Sequence, residues 1–493
     1  MATAPSYSDL LHALTLGTAR RPVDPAWMEW LDERGAIDPV ADAPEQLLAS
    51  WALIERLHRL RERPVSPAAP DAVDRAPAET LSPPSPRLAR GLQLMLEGPY
   101  TSLLEEGMEL LLSSGSYLPH SLLPALLPRA AALLDEDPAR ASRWMRATGH
   151  RGPWLARQHP DWAPLGPDYD YAAAWRREEQ PGKRATLLAR WRYAEPAAAR
   201  AALARQWDAL SPRNQEVLLE GLVVGLSPDD HAWLREALAP KRKGVRRSLS
   251  RLLLLAGEPT AIEDFRQIAR HTWQTGALDH DLQETLKAHG GVKAPQTLRQ
   301  RLLEILPLGE WATVSGQPLP DFWRGLTTLE LRDAGRAVRD FDDSDTRLTF
   351  LRYLLLEEPG QFPRDLATDL IRRISRDEFD ALYDTVLTQR SDALRLRGLP
   401  RFLALQRRTS WNERLSKAMI RKLVDDLHSR QLDYATQRDL GLHWQSAIPL
   451  LDPQLFPWLR QQLHTTAERP DAFGKLAAEL LQTTSLRRQL RQP

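Results

Sequence analysis

Four consecutive stretches decide the fold: PAAARAALARQWDAL (196–210), SPRNQEVLLEGLVVGL (211–226), SPDDHAWLREAL (227–238) and APKRKGVRRSLSRLLLLAG (239–257). Each begins near a Pro, Ser or Asp, and these residues commonly start helices. One apolar stripe at helical spacing runs along the second stretch and contains Leu218, Leu219, Leu222, Val223 and Leu226. Short helices joined by short turns bury such stripes by stacking on their neighbours. We therefore predict an all-α protein, an irregular HEAT-like α-solenoid of stacked helical hairpins. No strict sequence period is present, so an ordinary irregular helical domain is the alternative.

The composition of the whole chain agrees with a helical fold. Among 493 residues there are 86 Leu but only 9 Ile and 13 Val. Because β-branched residues favour strands and Leu favours helices, this ratio predicts an all-helical protein. Lys and Arg together number 66 against 65 Asp and Glu, a net charge of +1. The charge is distributed unevenly along the chain. Residues 1–180 carry 18 basic and 25 acidic side chains, whereas the remaining residues carry 48 basic and 40 acidic ones.

The sequence lacks the motifs of several kinds of enzyme and metal site. Cysteine is absent, which excludes disulfides, thiolate metal sites and a cysteine nucleophile. We find no GxxxxGK[ST], GxGxxG, GxSxG or HExxH motif. Asp340, Asp342, Asp343 and Asp345 begin like a calcium loop but lack its turn Gly and closing Glu, so helix capping explains them better. We expect no cofactor and no metal.

The chain shows no targeting or membrane-spanning pattern. Its first 22 residues have no basic region before their apolar stretch, unlike a typical signal peptide. No stretch approaches about 18 uninterrupted apolar residues, the length that a membrane-spanning helix needs. We expect a cytoplasmic protein.

Proline-rich segments divide the chain. Residues 64–87 contain seven prolines with Ala and Ser, which is typical of an extended linker. Residues 150–170 are loop-like and mark a second boundary. The predicted parts are an N-terminal helical segment (1–63), a Pro/Ala-rich linker (64–87), a helical segment (88–170), HEAT-like helical repeats (171–345) and a C-terminal helical domain (346–493).

A basic run in the last of the four stretches is the sharpest local feature. It consists of Lys241, Arg242, Lys243, Arg246, Arg247 and Arg251, with no acidic residue among them. On a helix, Lys243, Arg247 and Arg251 align on one face. The opposite, buried face holds Val245, Leu249, Leu252 and Leu253. Such a face can bind phosphates or an acidic partner protein, or it can simply be solvated.

Two further sets of residues allow a functional and a structural interpretation. Arg20 and Arg21 follow Gly17 and are either a docking segment or a solvated helix exit. The 16 Trp are scattered at intervals that suggest one per helix or helix pair. We expect the Trp side chains to pack between helices, because base stacking requires them to be exposed beside the arginines.

Three stretches carry a family resemblance: LGTARRP (16–22), REALAPKRKGVRRSLSRLLLLAG (235–257) and the Trp-containing stretch from Trp411 onward. They resemble an uncharacterised bacterial family of domain-of-unknown-function proteins, family number 5691. The chain departs from the family motif at Ala19, where the family usually has an acid, and at Thr15 within the apolar triplet. The resemblance implies a helical-repeat protein encoded near a MoxR-type AAA+ ATPase, a von Willebrand A-domain protein and a SWIM zinc-finger protein. It implies no catalytic residues.

Three functions remain open at this point. The leading hypothesis is a non-enzymatic scaffold or adaptor that works with the AAA+ ATPase and the von Willebrand A-domain partner, as the resemblance implies. The alternative is a HEAT-like nucleic-acid-binding or DNA-base-modifying protein whose basic helix 241–251 contacts phosphates. The third is a metal-independent hydrolase with a pair of carboxylates in a cleft.

Overall fold

A computed structural model of the chain describes residues 7–17, 19–20, 24–32, 42–62, 75–239, 242–293, 296–341, 344–358, 362–428 and 433–491. These residues form 28 α-helices and seven short 3-10 helices. Across the same residues, β pairing is limited to one isolated bridge between Ser82 and Ser116. The all-α prediction is confirmed. The chain separates into two compact units, residues 1–75 and 76–493.

The α-helices, in chain order, are α1 (Tyr7–Leu16), α2 (Pro25–Asp32), α3 (Ala43–Glu62), α4 (Pro86–Leu96), α5 (Leu104–Ser113), α6 (Leu123–Glu136), α7 (Pro138–Arg146), α8 (Arg151–Arg157), α9 (Tyr171–Arg177), α10 (Pro181–Ala194), α11 (Pro196–Ala204), α12 (Pro212–Gly221), α13 (His231–Leu238), α14 (Lys243–Leu255), α15 (Pro259–Thr275), α16 (His280–Ala288), α17 (Leu298–Ile305), α18 (Leu308–Ser315), α19 (Leu319–Arg324), α20 (Thr328–Phe341), α21 (Ser344–Glu357), α22 (Arg364–Arg373), α23 (Arg376–Gln389), α24 (Leu399–Ala404), α25 (Glu413–His428), α26 (Tyr434–Ala447), α27 (Phe456–Ala467) and α28 (Ala472–Leu490).

The first unit contains α1, α2 and α3. Its small core consists of Leu10 and Ala13 from α1 and Leu47 from α3, with Trp27 and Trp51 packed against them. Helix α1 ends at Gly17, whose φ of +80° places it in the left-handed region that favours glycine. The amide of Gly17 donates to the carbonyl of Ala13, so this predicted helix end is confirmed.

In the second unit, helices pack on helices two or three positions away in chain order as well as on adjacent ones. Helix α10 packs on α12 and α12 on α14, and further along α17 packs on α20 and α20 on α22. A second set of contacts joins α15 to α18, α21 to α23 and α23 to α25. Adjacent pairs such as α14 with α15 and α20 with α21 connect the two sets. Most of these short helices therefore bury an apolar stripe against several others, which is the reason such short helices are stable here.

Side-chain caps start many of these helices where the sequence indicates. Ser211 precedes α12, and its hydroxyl accepts a hydrogen bond from the amide of Asn214. Glu258 precedes α15, and its carboxylate accepts from the amide of Ala261. Each cap satisfies an amide that has no partner within the helix, and is worth about 1 kcal/mol.

Many of the Trp side chains lie in the core. Trp144, Trp175, Trp191 and Trp207 are buried, as are Trp323, Trp411 and Trp444 further along the chain. Core packing is therefore confirmed for these seven. One continuous core extends from Tyr171 to Leu480, and a second contains residues 88–165 together with Leu490.

The last helix of the second unit packs against its first helices. The Leu490 side chain lies against Gly91 in α4, where a Cβ atom would be 2.5 Å from a Leu490 methyl. Arg487 is 0% exposed and donates to Glu106 of α5 at 2.6 Å. The Arg487 guanidinium also donates to the Leu451 carbonyl at 2.5 Å and to the Ser410 hydroxyl at 2.6 Å. We call this contact of α28 with α4 and α5 the closure contact.

The structure corrects the prediction for residues 150–170 and adds detail to that for the proline-rich segment 64–87. The loop-like interpretation of residues 150–170 is wrong for residues 151–157, which form α8. This helix starts because Glu79 accepts hydrogen bonds from the amides of His150 and Arg151. Glu79 lies in the described part of the proline-rich segment, residues 75–85, which is not helical and pairs with the chain at Ser82.

Candidate functional site

The basic run lies on α14, which buries the face that its sequence indicates. Val245, Leu249, Leu252 and Leu253 are all buried. Arg247 and Arg251 lie on another face and are half-buried. The predicted division of this helix into an apolar and a basic face is therefore confirmed.

A glycine turn packs tightly against the start of α14. Gly290 has a φ of +86°, and a Cβ atom there would lie 2.5 Å from the Lys243 carbonyl oxygen and 2.8 Å from Cγ of Arg247. Only glycine fits this conformation and this distance. Arg247 Nη1 donates to the Gly290 carbonyl at 3.1 Å, which fixes the guanidinium relative to the turn.

A hydrogen-bonded set of Ser250, His289 and Asp264, which we call the relay, holds the same turn in place. Ser250 Oγ is 2.9 Å from Nδ1 of His289, and Nε2 of His289 is 3.0 Å from Oδ2 of Asp264. These are the residue types of a nucleophile, base and acid triad. Ser250, however, is 0% exposed, and the Phe265 ring packs on His289. The relay therefore connects α14, α15 and the turn rather than presenting a nucleophile to a substrate.

Beside this turn lies a cavity of about 600 Å³, which we call the arginine cavity. Its walls come from α12, α14, α17 and α20 and from the segment between α16 and α17. The lining residues are Glu216, Gly244, Arg247, Ser248, Arg251, Lys293, Gln296, Gln300, Arg301, Glu304, Arg332, Asp333 and Arg336. Six of them are cationic and three are acidic, so the lining carries a net charge of +3. A cavity with this excess attracts anions.

The acidic residues neutralise only part of this charge. Arg336 Nη1 lies 3.1 Å from Oδ1 of Asp333 and 3.9 Å from Oε1 of Glu304. Arg251 Nη2 lies 2.7 Å from Oδ2 of Asp340, outside the cavity lining. These pairs hold two of the six cations in place.

Two other arginines in the lining have donors without a partner. The Nε atoms of Arg301 and Arg332 are buried and make no hydrogen bond. The Arg301 side chain is only 11% exposed, and its nearest acidic oxygen, on Glu304, is 3.7 Å from Nη1. Burial lowers the pKa of the Arg301 guanidinium; Glu304 raises it, and the charges of Arg247 and Arg251 lower it further. An anion in the cavity would reduce this repulsion.

The pKa of the Asp333 carboxyl is shifted in the opposite direction. It is 2% exposed, and burial raises the pKa of its carboxyl although Arg332 and Arg336 lower it. The nearby Glu304 carboxylate also raises the pKa of Asp333.

The predicted site residues fall in different places. Arg247 and Arg251 line the arginine cavity, whereas Arg242 and Lys243 are exposed at the start of α14. Arg246 is half-buried, and its Nε has no hydrogen-bond partner. Lys241 and Arg21 lie outside the described residues. Arg20 is exposed in the first unit, where its amide donates to the Gly17 carbonyl.

The sequence did not identify the other cations of the cavity. Lys293, Arg301, Arg332 and Arg336 come from a loop and two helices that are 40 to 90 residues from the basic run. Each is one of 66 basic residues in the chain and has no local motif. Only the packing of α17 and α20 near α14 brings them together.

A second basic cavity, of about 770 Å³, lies beside α25. Its Arg390 and Arg395 both pair with Glu358 and Asp392, at N–O distances from 2.5 to 3.3 Å. Lys422 pairs with Asp426 at 2.9 Å. Because acidic neighbours neutralise most of these cations, this cavity is the weaker candidate for an anion.

The structure describes two of the four aspartates in the cluster at residues 340–345, namely Asp340 and Asp345. Asp340 pairs with Arg251 and Arg339, and Asp342 and Asp343 lie outside the described residues. Within the part of the chain that the structure describes, no group of three His, Cys, Asp or Glu residues could hold a metal ion. Nor does that part contain a helix long and apolar enough to cross a membrane.

Comparison with known proteins gives one match. The model of a family of unknown function, DUF5691, matches residues 9–493, nearly the whole chain. Neither a curated protein nor a solved structure matches.

Proposed function

The chain belongs to the DUF5691 family of unknown function, and we propose that its second unit is a non-enzymatic, HEAT-like helical scaffold or adaptor. In this proposal the arginine cavity docks an acidic segment of a protein partner. The observation that carries the proposal is the cavity itself, in which four of six cations make no hydrogen bond to a carboxylate. These four cations are Arg247, Lys293, Arg301 and Arg332.

The helix packing supports the architectural part of the proposal. Contacts between second neighbours, as in α10, α12 and α14, are typical of an α-solenoid. Such arrays present extended surfaces on which protein partners bind. The HEAT-like assignment rests on this pattern of contacts together with the helix lengths.

The proposed partners come from the family resemblance. They are a MoxR-type AAA+ ATPase and a von Willebrand A-domain protein, with a bacterial cytoplasm as the setting. Arginine suits an acidic segment because its planar guanidinium can donate two parallel hydrogen bonds to one carboxylate.

Two other functions have less support. Nucleic-acid binding would benefit from aromatic side chains on which bases stack, and the lining of the arginine cavity contains none. An acid-dyad hydrolase would need two accessible carboxylates. Glu304 and Asp333 share the cavity, but Asp333 is nearly fully buried and Arg336 contacts both.

Reconstitution tests the proposal. The full chain is mixed with the purified ATPase and von Willebrand A-domain protein from the same genome, and complexes are separated by size-exclusion chromatography. We expect co-elution with at least one of the two at moderate salt. Failure to co-elute with either one, with or without nucleotide, would contradict the proposal.

A second measurement separates this proposal from nucleic-acid binding. Duplex DNA and single-stranded RNA are titrated with the chain at several salt concentrations. Binding through several phosphates weakens steeply as salt rises, whereas the adaptor proposal expects no specific binding to either. A steep salt dependence with high affinity for one of them would favour the nucleic-acid function instead.

A further inference from the structure

The arginine cavity has a recessed wall formed by Arg301 and Arg332, which belong to α17 and α20. Both side chains contribute a buried Nε–H donor without an acceptor. A buried donor left unpaired destabilises the folded protein, and such groups in native structures usually have a partner. Because these Nε atoms are closed off from solvent, a ligand in the cavity would meet the outer guanidinium nitrogens of Arg301 and Arg332, which lie beyond hydrogen-bond distance of the nearest carboxylate oxygens.

The charge of the cavity indicates how anionic this ligand is. Arg247 donates to a backbone carbonyl, and Lys293 is exposed with no acidic partner among the described residues. Arg301 and Arg332 lie 3.7 and 3.6 Å from the nearest carboxylate oxygens, beyond hydrogen-bond distance. One carboxylate brings a single negative charge, whereas a phosphate chain brings several charges and many acceptor oxygens.

The size of the cavity indicates what kind of molecule enters it. A volume of about 600 Å³ lies within the range of roughly 300–1,000 Å³ that is typical of small-molecule sites.

From these observations we infer that the arginine cavity binds a small soluble polyphosphate. Arg301 and Arg332 donate to its oxygens through the outer nitrogens of their guanidinium groups, and Arg247 and Lys293 add charge. The inference rests on the proposed function in that the partner's acidic segment enters the same cavity. A bound polyphosphate therefore competes with that segment and controls docking.

Isothermal titration of the full chain tests this inference. The probes are tripolyphosphate, ATP without metal, adenosine, and citrate, a multivalent anion that carries carboxylates only. We expect tripolyphosphate to bind at least about tenfold more tightly than citrate, a difference of about 1.4 kcal/mol. Tripolyphosphate and ATP binding equally tightly identifies the phosphate chain as the recognised group, whereas adenosine binding alone overturns the inference.

Substitutions locate the site. Arg301→Lys and Arg332→Lys keep the charge but remove the planar guanidinium group and its paired donors, so each should weaken tripolyphosphate binding at least about tenfold. Arg421→Gln, in the second basic cavity, is the control and should leave binding unchanged. Lys293→Gln changes an exposed side chain, so it reports on binding even where an arginine variant fails to fold. We expect Lys293→Gln to weaken binding about threefold or more, by analogy with other exposed charge contacts.

Three results would overturn the inference: equal affinity for tripolyphosphate and citrate, no binding of tripolyphosphate, or wild-type affinity in Arg301→Lys and Arg332→Lys. Its failure is distinct from failure of the proposed function. If an acidic peptide binds the cavity and tripolyphosphate does not, the adaptor proposal stands alone. If tripolyphosphate binds and neither protein partner does, the polyphosphate site stands and the adaptor proposal is wrong.

Discussion

The substitution Glu106→Gln tests the closure contact between α28 and the first helices of the second unit. Glu106 provides the negative charge for Arg487, which is 0% exposed and lies 2.6 Å away. Removing one partner of a buried ion pair typically destabilises a protein by 3–5 kcal/mol, because the other charge remains buried without compensation. Arg487 keeps two neutral acceptors, on Leu451 and Ser410. We therefore expect Glu106→Gln to lower the free energy of unfolding by an amount near the lower end of this range, about 3 kcal/mol.

Urea unfolding followed by tryptophan fluorescence measures this loss, with hydrogen exchange of residues 480–490 as a local readout. Glu97→Gln, at the exposed end of α4, is the matched control and should change stability by less than about 0.5 kcal/mol. The double substitution Glu106→Gln with Arg487→Met should recover much of the loss, because an apolar side chain needs no counter-charge. A loss below about 1 kcal/mol, or unchanged exchange in α28, would refute the importance of this contact.

Three further predictions concern stability. Burial lowers the pKa of His443 to about 4, while the unfolded chain binds that proton near pH 6.5, so stability should fall by about 2 kcal/mol as pH drops from 6.5 to 4. In His443→Gln, urea unfolding at several pH values should show a smaller loss of stability at low pH. A pH profile identical to that of the wild type would contradict this role of His443. Gly290→Ala should destabilise the protein by about 2 kcal/mol or more, and Gly291→Ala, where a Cβ meets open space, by only about 1 kcal/mol, in thermal or urea unfolding; equal losses would contradict the steric argument. Asp230→Asn should cost about 3–5 kcal/mol in urea unfolding, because Asp230 pairs with the fully buried Arg192 at 2.7 Å; a loss under about 1 kcal/mol would show that the pair is not important.

Helices with a clear apolar stripe and a cap could be predicted from the sequence. Helix α14 has the buried face that Val245 and Leu249 indicate, and α1 ends at Gly17. Both features depend on residues within one or two turns of each other, so local spacing suffices to find them. The helix at residues 151–157 was missed because its start depends on Glu79, which is 71 residues away from His150.

The candidate site could be predicted only in part for the same reason. Arg247 and Arg251 stood out because they belong to a local basic run. Arg301 and Arg332 have ordinary surroundings in sequence and acquire their unpartnered Nε donors only through burial in the packed structure. The closure contact joins residues 381 positions apart, and no local pattern reports such a pair.

Fluorescence anisotropy of a labelled oligoglutamate peptide, standing in for the acidic segment of a partner, tests the central claim most directly. The variant Lys243→Glu with Lys293→Glu reverses exposed charge beside and inside the arginine cavity. The control Lys183→Glu with Lys475→Glu makes the same change in net charge at exposed positions elsewhere. We predict that the cavity variant binds the peptide at least about tenfold more weakly and that the control binds within about twofold of the wild type. Equal loss in both variants, or no loss in either, would contradict docking at this cavity.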